Sequence, residues 1–236
     1  MVKVWLSRSQ PGAERQAADL RAAGYQVVVA PVLHIEPLPA SAPPPGPFDW
    51  IIYLSEHAVR HGLRALPDSS QARAARVLAV GRRTAAVLER HGVPSAAPDD
   101  ATSEGLLALP QLQNLAAQHV LLVGGVGGRT LLAETLTARG ARVARFDCYR
   151  RVPARVLDPA VLDCNVIIAA SAEGLARVAD LWLAAGGRPD VPVLVPSARV
   201  AGLAVEVGLE SLHDCAGADS AAWLRGLERL QRAGRV

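Results

Sequence analysis

The sequence predicts an α/β fold built as two similar halves, and three observations carry that expectation. Residues 119–151 read as strand, glycine turn, helix and strand. Residues 4–33 follow the same order, and the correspondence continues along the chain at constant spacing. In the central stretch, Val120 to Val123 is an apolar run of strand length, followed by Gly124, Gly125, Gly127 and Gly128. Leu131, Leu132 and Leu136 mark the apolar face of a helix that Gly140 ends, and Val143 to Phe146 is a second strand leading to Tyr149. Such a βαβ unit places its first loop beyond the carboxyl end of a strand, where open α/β sheets bind ligands.

The spacing between the copies is 116 residues: Val4 corresponds to Val120, Leu20 to Leu136, Gly24 to Gly140 and Val27 to Val143. Ile51 and Ile52 correspond to Ile167 and Ile168, Ser55 to Ser171, and Gly92 to Gly208. Two copies of 118 residues account for the 236, so the chain reads as an internal duplication. Two similar α/β halves imply a cleft between them.

Composition narrows the class. Half of the residues are hydrophobic, which allows a sizeable core, but no run of about 20 apolar residues occurs, so no membrane-spanning helix is expected. The chain opens directly on the strand VKVWL, so no cleavable leader is expected either. Cys148, Cys164 and Cys215 are far apart, which fits a reduced, cytoplasmic protein with its thiols in or near the core. The net charge of +3 is too small, and the aromatic content of 4% too low, for a nucleic-acid surface. Lys3 is the only lysine, and the arginines that supply the remaining charge suit an acidic ligand, because their planar fork pairs with carboxylates.

Along the chain, strand Val2–Leu6 leads into Ser7-Arg8-Ser9-Gln10-Pro11-Gly12 and a helix over 13–23. This loop either holds an anion, through Arg8 and the helix N–H groups, or is solvated chain that starts the helix. After a strand at 26–30 comes a cluster of Pro37, Pro39, Pro43, Pro44, Pro45 and Pro47, an extended linker. It falls inside the first copy, and Arg-Arg-Val-Pro at 150–153 occupies the equivalent place in the second. The chain is therefore expected to leave one domain near residue 36 and return near 152, giving domains of 1–36 with 153–236, and 37–152. Strand 50–54 is followed by a helix capped by Ser55, and Ser171 repeats the pattern. His57 and His61 stand at i, i+4, but no third ligand is suitably spaced, so no metal is expected. Gly81 and Thr84 open a third strand–turn–helix, matched by Ser197 and Val200; Thr102 or Ser103 caps a short helix, matched by Asp219 and Ser220. GGVGGRT lacks the Gly-Lys-Ser/Thr of a nucleotide P-loop.

The ordered set LSRSQPGAE, FDWIIYLSEHAV, LAVGRRTAAVLERHG, TSEGLL, LLVGGVGGRTLLAETLTARGARVARFDCYRR and VIIAASAEGL, ending in a helix stopped at Gly208, resembles the uroporphyrinogen-III synthase family over the whole chain. The resemblance implies two flavodoxin-like three-layer α/β domains with parallel sheets, joined by a two-stranded linker, with the site in the cleft. It implies cyclisation of hydroxymethylbilane, with ring D inverted through a spiro intermediate and water lost, to uroporphyrinogen III. It implies no cofactor, a cytoplasmic monomer, no nucleic-acid or membrane partner, and transient contact with the preceding enzyme of the pathway. Tyr149 matches the family's tyrosine and is assigned the proton donated to the departing hydroxyl, since a phenol is protonated near neutrality. Arg8, Ser55, Thr84, Ser103, Gly127, Gly128, Arg129, Ser171 and Ser197 are assigned to binding the substrate's carboxylates. Three positions depart from the family: Val200 stands where a threonine is expected, and Leu54 and Ala170 where a threonine commonly precedes the serine. Two alternatives stand beside the cyclase: a silent member that binds tetrapyrroles without turnover, and a two-domain glycosyltransferase.

Overall fold

Two strands paired in one and the same register organise the chain, whose computed structural model describes residues 1–38, 42–66, 75–128 and 130–236. β1 (Lys3–Leu6) lies in parallel between β2 (Gln26–Val29) and β8 (Val166–Ile168), with Val4 opposite Val27 and Val166. β6 (His119–Gly125) lies likewise between β7 (Arg142–Pro153) and β4 (Trp50–Tyr53), with Val120 opposite Val143 and Trp50. Ile167 beside Val193 of β9 (Val193–Val195) is matched by Ile51 beside Val77 of β5 (Arg76–Ala79). The duplication thus reaches down to which residues face each other across the ladders.

The chain divides into two compact units, Met1–His34 with Val152–Val236, and Ile35–Arg151. The first has the strand order β10-β9-β8-β1-β2, with β10 at Leu212–Asp214, the order of a flavodoxin-like doubly wound sheet. The second has the order β3-β7-β6-β4-β5, with β3 at Leu33–Pro37, and a parallel bridge from Leu78 of β5 to Ala96. From that bridge inward, its strands match β10 to β2 one for one. Its chain enters the cycle elsewhere, starting at the equivalent of β8 and finishing at the equivalent of β2. Each unit therefore takes strands from both copies, which is why the repeats and the compact units have different boundaries.

Both sheets are buried on two faces, as parallel sheets require. In the first unit, Val4, Leu6, Val166 and Ile168 pack with Ala13, Ala17 and Leu20 of α1 (Gly12–Ala22). The opposite face, with Trp5, Ile167 and Val193, takes Leu175, Val178 and Trp182 from the long helix Ala172–Ala184. In the second unit, Ile51, Tyr53, Leu121 and Val123 pack with Ala58 and Val59 of α2 (Glu56–Ala65) and Leu88 of α3 (Arg82–Arg90). Trp50, Ile52, Val120 and Leu122 pack with Leu106 of α4 (Ser103–Ala108) and with Leu132 and Leu136 of α5 (Leu131–Ala138). Completing the chain, α6 is Ala172–Ala184, α7 Ala198–Ala201, α8 Ala204–Val207 and α9 Ser220–Arg232.

Two details differ from the sequence expectation. Leu131 is 39% exposed, because the buried stripe of α5 is the i, i+4 pair Leu132 and Leu136. Tyr149 lies within β7 rather than at its end, since β7 runs on to Pro153 alongside β3. That pairing is antiparallel: Leu38 N–H donates to Cys148 O at 3.0 Å, and Ala154 N–H to Val32 O at 2.9 Å. The prolines at 43, 44, 45 and 47 lie in chain without helix or strand, whereas Pro39 lies outside the described residues. All three cysteines are free and buried. Among the described residues, no helix is long and apolar enough to cross a membrane.

α2 approaches its sheet closely at Gly62, where an added Cβ would stand 2.6 Å from Val123 Cγ1. Gly62→Ala is expected to lower stability by about 1–2 kcal/mol in chemical denaturation, overpacking outweighing the ~1 kcal/mol gain in helix propensity. An unchanged or raised midpoint would show that Val123 yields freely.

Candidate active site

In each unit the chain order of the strands reverses once, and there two loops diverge at the carboxyl edge of the sheet, the usual place for a ligand in such folds. In the second unit the reversal lies between β4 and β6, so the loops after Tyr53 and Gly125 flank it. In the first unit it lies between β1 and β8, flanked by the loops that carry Arg8 and Ser171.

The second unit brings Ser55, Tyr149 and the glycine loop together. Ser55 caps α2, its Oγ accepting from Ala58 N–H at 3.0 Å, and the same Oγ is 3.1 Å from the Tyr149 hydroxyl. The Tyr149 ring lies against Gly125, where a Cβ would come within 2.6 Å of Cζ, so only glycine admits the ring. The register shifts at Gly124/Gly125, so that Gly125 stands opposite Tyr149. The Tyr149 residue is 5% exposed, its ring belonging to the core of the unit, while its bond to half-buried Ser55 lies at the edge of that core. His57 and His61 flank the ring, with centroids 5.5 Å and 6.1 Å from it. Burial, and then the charges of Arg64 and Arg60, hold the His61 imidazole below its ordinary range. Behind the tyrosine, the Cys148 thiol donates to Gly124 O at 3.3 Å, and burial pushes it up to about 11.

Gly127 and Gly128 are exposed and adopt φ of +76° and +99°, a left-handed conformation natural only to glycine. Arg129 lies outside the described residues. Thr84 is 4% exposed in the first turn of α3, and Gly81 before it allows Ala101 to approach to 2.4 Å of a notional Cβ. Thr102, not Ser103, caps α4, its Oγ1 accepting from Gly105 N–H at 3.0 Å; Ser103 is the first helical residue.

In the first unit, Arg8 lies over Gly12 and donates to Ala218 O at 3.3 Å, an acceptor it shares with Gln16 Nε2 at 2.7 Å. Ser171 is exposed and caps α6 by accepting from Gly174 N–H at 3.0 Å. Ser197 precedes α7 in extended backbone without a side-chain cap. Val200 is 1% exposed in the core, so the methyl that replaces the expected hydroxyl is a packing group. Sequence reasoning missed Gln16, and missed Arg145 and Asp147 on β7. An Arg and an Asp two apart on one strand share a face, and that was the available signal.

A family model described as Uroporphyrinogen-III synthase HemD matches residues 14–182, more than half of the chain. The chain belongs to the uroporphyrinogen-III synthase family. It is 33% identical to a uroporphyrinogen-III synthase of Salmonella typhimurium over 247 residues, covering 96% of this chain and 100% of that one. It is 31% identical to that of Escherichia coli over 246 residues, with the same coverage. Among solved structures, uroporphyrinogen-III synthetase from Helicobacter pylori superposes with a TM-score of 0.67 at 16% identity, covering 98% of this chain and 100% of that chain. A mutant uroporphyrinogen III synthase from Thermus thermophilus gives 0.62 at 20% identity, covering 99% and 100%. These two structures share the two-unit α/β fold of the family.

Two outcomes test this geometry. Ser55→Ala is expected to lower stability by about 1 kcal/mol in denaturant titration, the usual loss of a helix cap, and no change would mean that the cap is redundant. The folded-state pKa of His61 is lowered from 6.5, so below about pH 6.5 the unfolded chain takes up a proton first and stability falls with pH. His61→Gln should reduce that slope; His213, also lowered by burial and by Arg235 and Arg229, should maintain part of it. An unaltered slope would remove His61 from the linkage.

Proposed function

We propose that the chain is an active uroporphyrinogen-III synthase, cyclising hydroxymethylbilane to uroporphyrinogen III, and that Tyr149 is its proton donor. The observation that supports this reading is the 3.1 Å contact of the Tyr149 hydroxyl with Ser55 Oγ at the reversal point of the sheet. A serine hydroxyl has one proton and two acceptor sites. One acceptor site of Ser55 is taken by Ala58 N–H; with the Ser55 O–H donating to the tyrosine oxygen, the phenolic proton is left for the substrate. That proton goes to the terminal hydroxyl; the C–O bond breaks, water departs and an azafulvene cation forms. The substituted carbon of ring D attacks the azafulvene methylene to give a spiro intermediate; its bond to the ring C methylene then breaks, and that methylene closes on the unsubstituted carbon of ring D, which inverts the ring. The proton released as the macrocycle closes restores the phenol.

Orientation is the larger task, because the unguided reaction closes the ring without inversion. Arg8, Ser171 and Ser197 in one unit, and Ser55, Thr84, Ser103, Gly127, Gly128 and Arg129 in the other, are assigned to the substrate's carboxylates. The protein works as a cytoplasmic monomer without a cofactor and receives its unstable substrate from the enzyme that makes it. Three free, buried cysteines suit a reducing compartment. A second reading, a silent member that binds the tetrapyrrole, draws support from the 5% exposure of Tyr149.

Incubation with freshly prepared hydroxymethylbilane, followed by chromatographic separation of the isomers, decides between them. Type III product is expected, and only type I, as in the blank, would establish the silent reading. Tyr149→Phe should slow turnover by about 10²-fold with the fold intact by circular dichroism, in line with loss of a general acid. Unchanged kinetics would return Tyr149 to packing.

A further inference from the structure

The glycine loop is tied back to β7 at two successive residues. Val126 N–H donates to Tyr149 O at 2.9 Å, and Gly127 O accepts from Arg145 Nη2 at 3.2 Å. The same Nη2 lies 3.2 Å from Asp147 Oδ1, two residues along on the same strand face, and both side chains are about one-third exposed. The second tie carries a consequence for the next amide. The C=O of Gly127 and the N–H of Gly128 belong to one planar trans peptide and point in opposite directions. Holding the carbonyl on Arg145 therefore turns the Gly128 N–H away from β7. Gly128 is exposed, and among the described residues its N–H has no backbone acceptor.

Without the guanidinium this peptide is free to rotate, because glycine on both sides accepts φ of either sign at little cost. The rotated peptide would present a carbonyl where a donor had been, and a carboxylate would be repelled rather than bound. The geometry points to Arg145 as a positioning residue that aims the Gly128 amide at a substrate carboxylate, with Asp147 fixing the guanidinium. This rests on the reading of the site as a polycarboxylate-binding one. It gives Arg145 a different task from a direct ligand: its Nη2 is already engaged by Gly127 O and by Asp147, which also offsets its charge.

The test pairs a substrate-independent measurement with kinetics. In Arg145→Met, 15N relaxation of the Gly128 amide should fall from an order parameter of about 0.85 toward ~0.6 or below, with the melting temperature held. KM for hydroxymethylbilane should rise about tenfold while kcat stays within about twofold, as when one hydrogen bond to a charged group is lost. Arg145→Lys should recover part of the KM, and Asp147→Asn should raise KM in the same direction by less. A rigid Gly128 in Arg145→Met would overturn the proposal. So would tighter binding in Asp147→Asn, the result expected if Arg145 itself gripped the carboxylate and Asp147 competed for it. Should the unaltered protein make no type III isomer, the proposed activity fails on its own, and the relaxation measurement still decides whether Arg145 holds the loop.

Discussion

The pairing of β1 with β8, repeated as β6 with β4, is the constraint on which the other features depend. It joins strands from opposite copies of the duplication, Val4 to Val166 and Val120 to Trp50. It also fixes where each sheet changes direction. Strands on either side of that line are reached by crossovers on opposite faces, so helices cover both sides and the strands become apolar throughout. The two loops that part at the line expose backbone N–H groups and the caps of following helices. Ser55 and the glycine loop stand at that edge in one unit, and Arg8 and Ser171 in the other.

Within the second unit, the edge is built by close approach more than by charge. Gly125 admits the Tyr149 ring, Gly62 lets α2 settle on Val123, and Gly81 lets the segment before α4 approach the start of α3. Each of these glycines sits where a neighbouring side chain comes nearest, whereas Gly127 and Gly128 at the same edge adopt left-handed backbone. The neighbouring Cys148 thiol packs in the same core cluster and donates to Gly124 O. The tyrosine ring is thus held by Gly125 and flanked by His57 and His61, with its oxygen 3.1 Å from Ser55 Oγ.

Much of the fold was legible because it rests on local signals. Apolar runs bounded by Gly24, Gly140 and Gly208, and serines ahead of the helices that open at Glu56 and Ala172, are written in neighbouring residues. The constant spacing of the copies made the strand equivalences readable too. What was not legible depends on contacts between distant positions. Ser55 and Tyr149 are 94 residues apart, and nothing near either one announces the other. The continuation of β7 past Tyr149 depends on β3, more than a hundred residues earlier in the chain. Arg145 and Asp147 in a strand look like a solvated face until Gly127 O is seen beside them. Ser103 was indistinguishable from Thr102 as a cap because either hydroxyl fits, and only backbone angles choose.

The staggered use of the two copies has a consequence for synthesis on the ribosome. Ile35–Arg151 is one continuous stretch, so every strand of its sheet has been made by the time Pro153 emerges. β1 has no such fortune: its neighbour β8 begins at Val166, and β9 and β10 come later still. The inserted unit is thus able to fold first, while the amino-terminal pair of parallel strands waits, half-covered, for the tail of the nascent polypeptide. Vectorial translation runs from amino to carboxyl end, and here it separates the maturation of the two lobes in time.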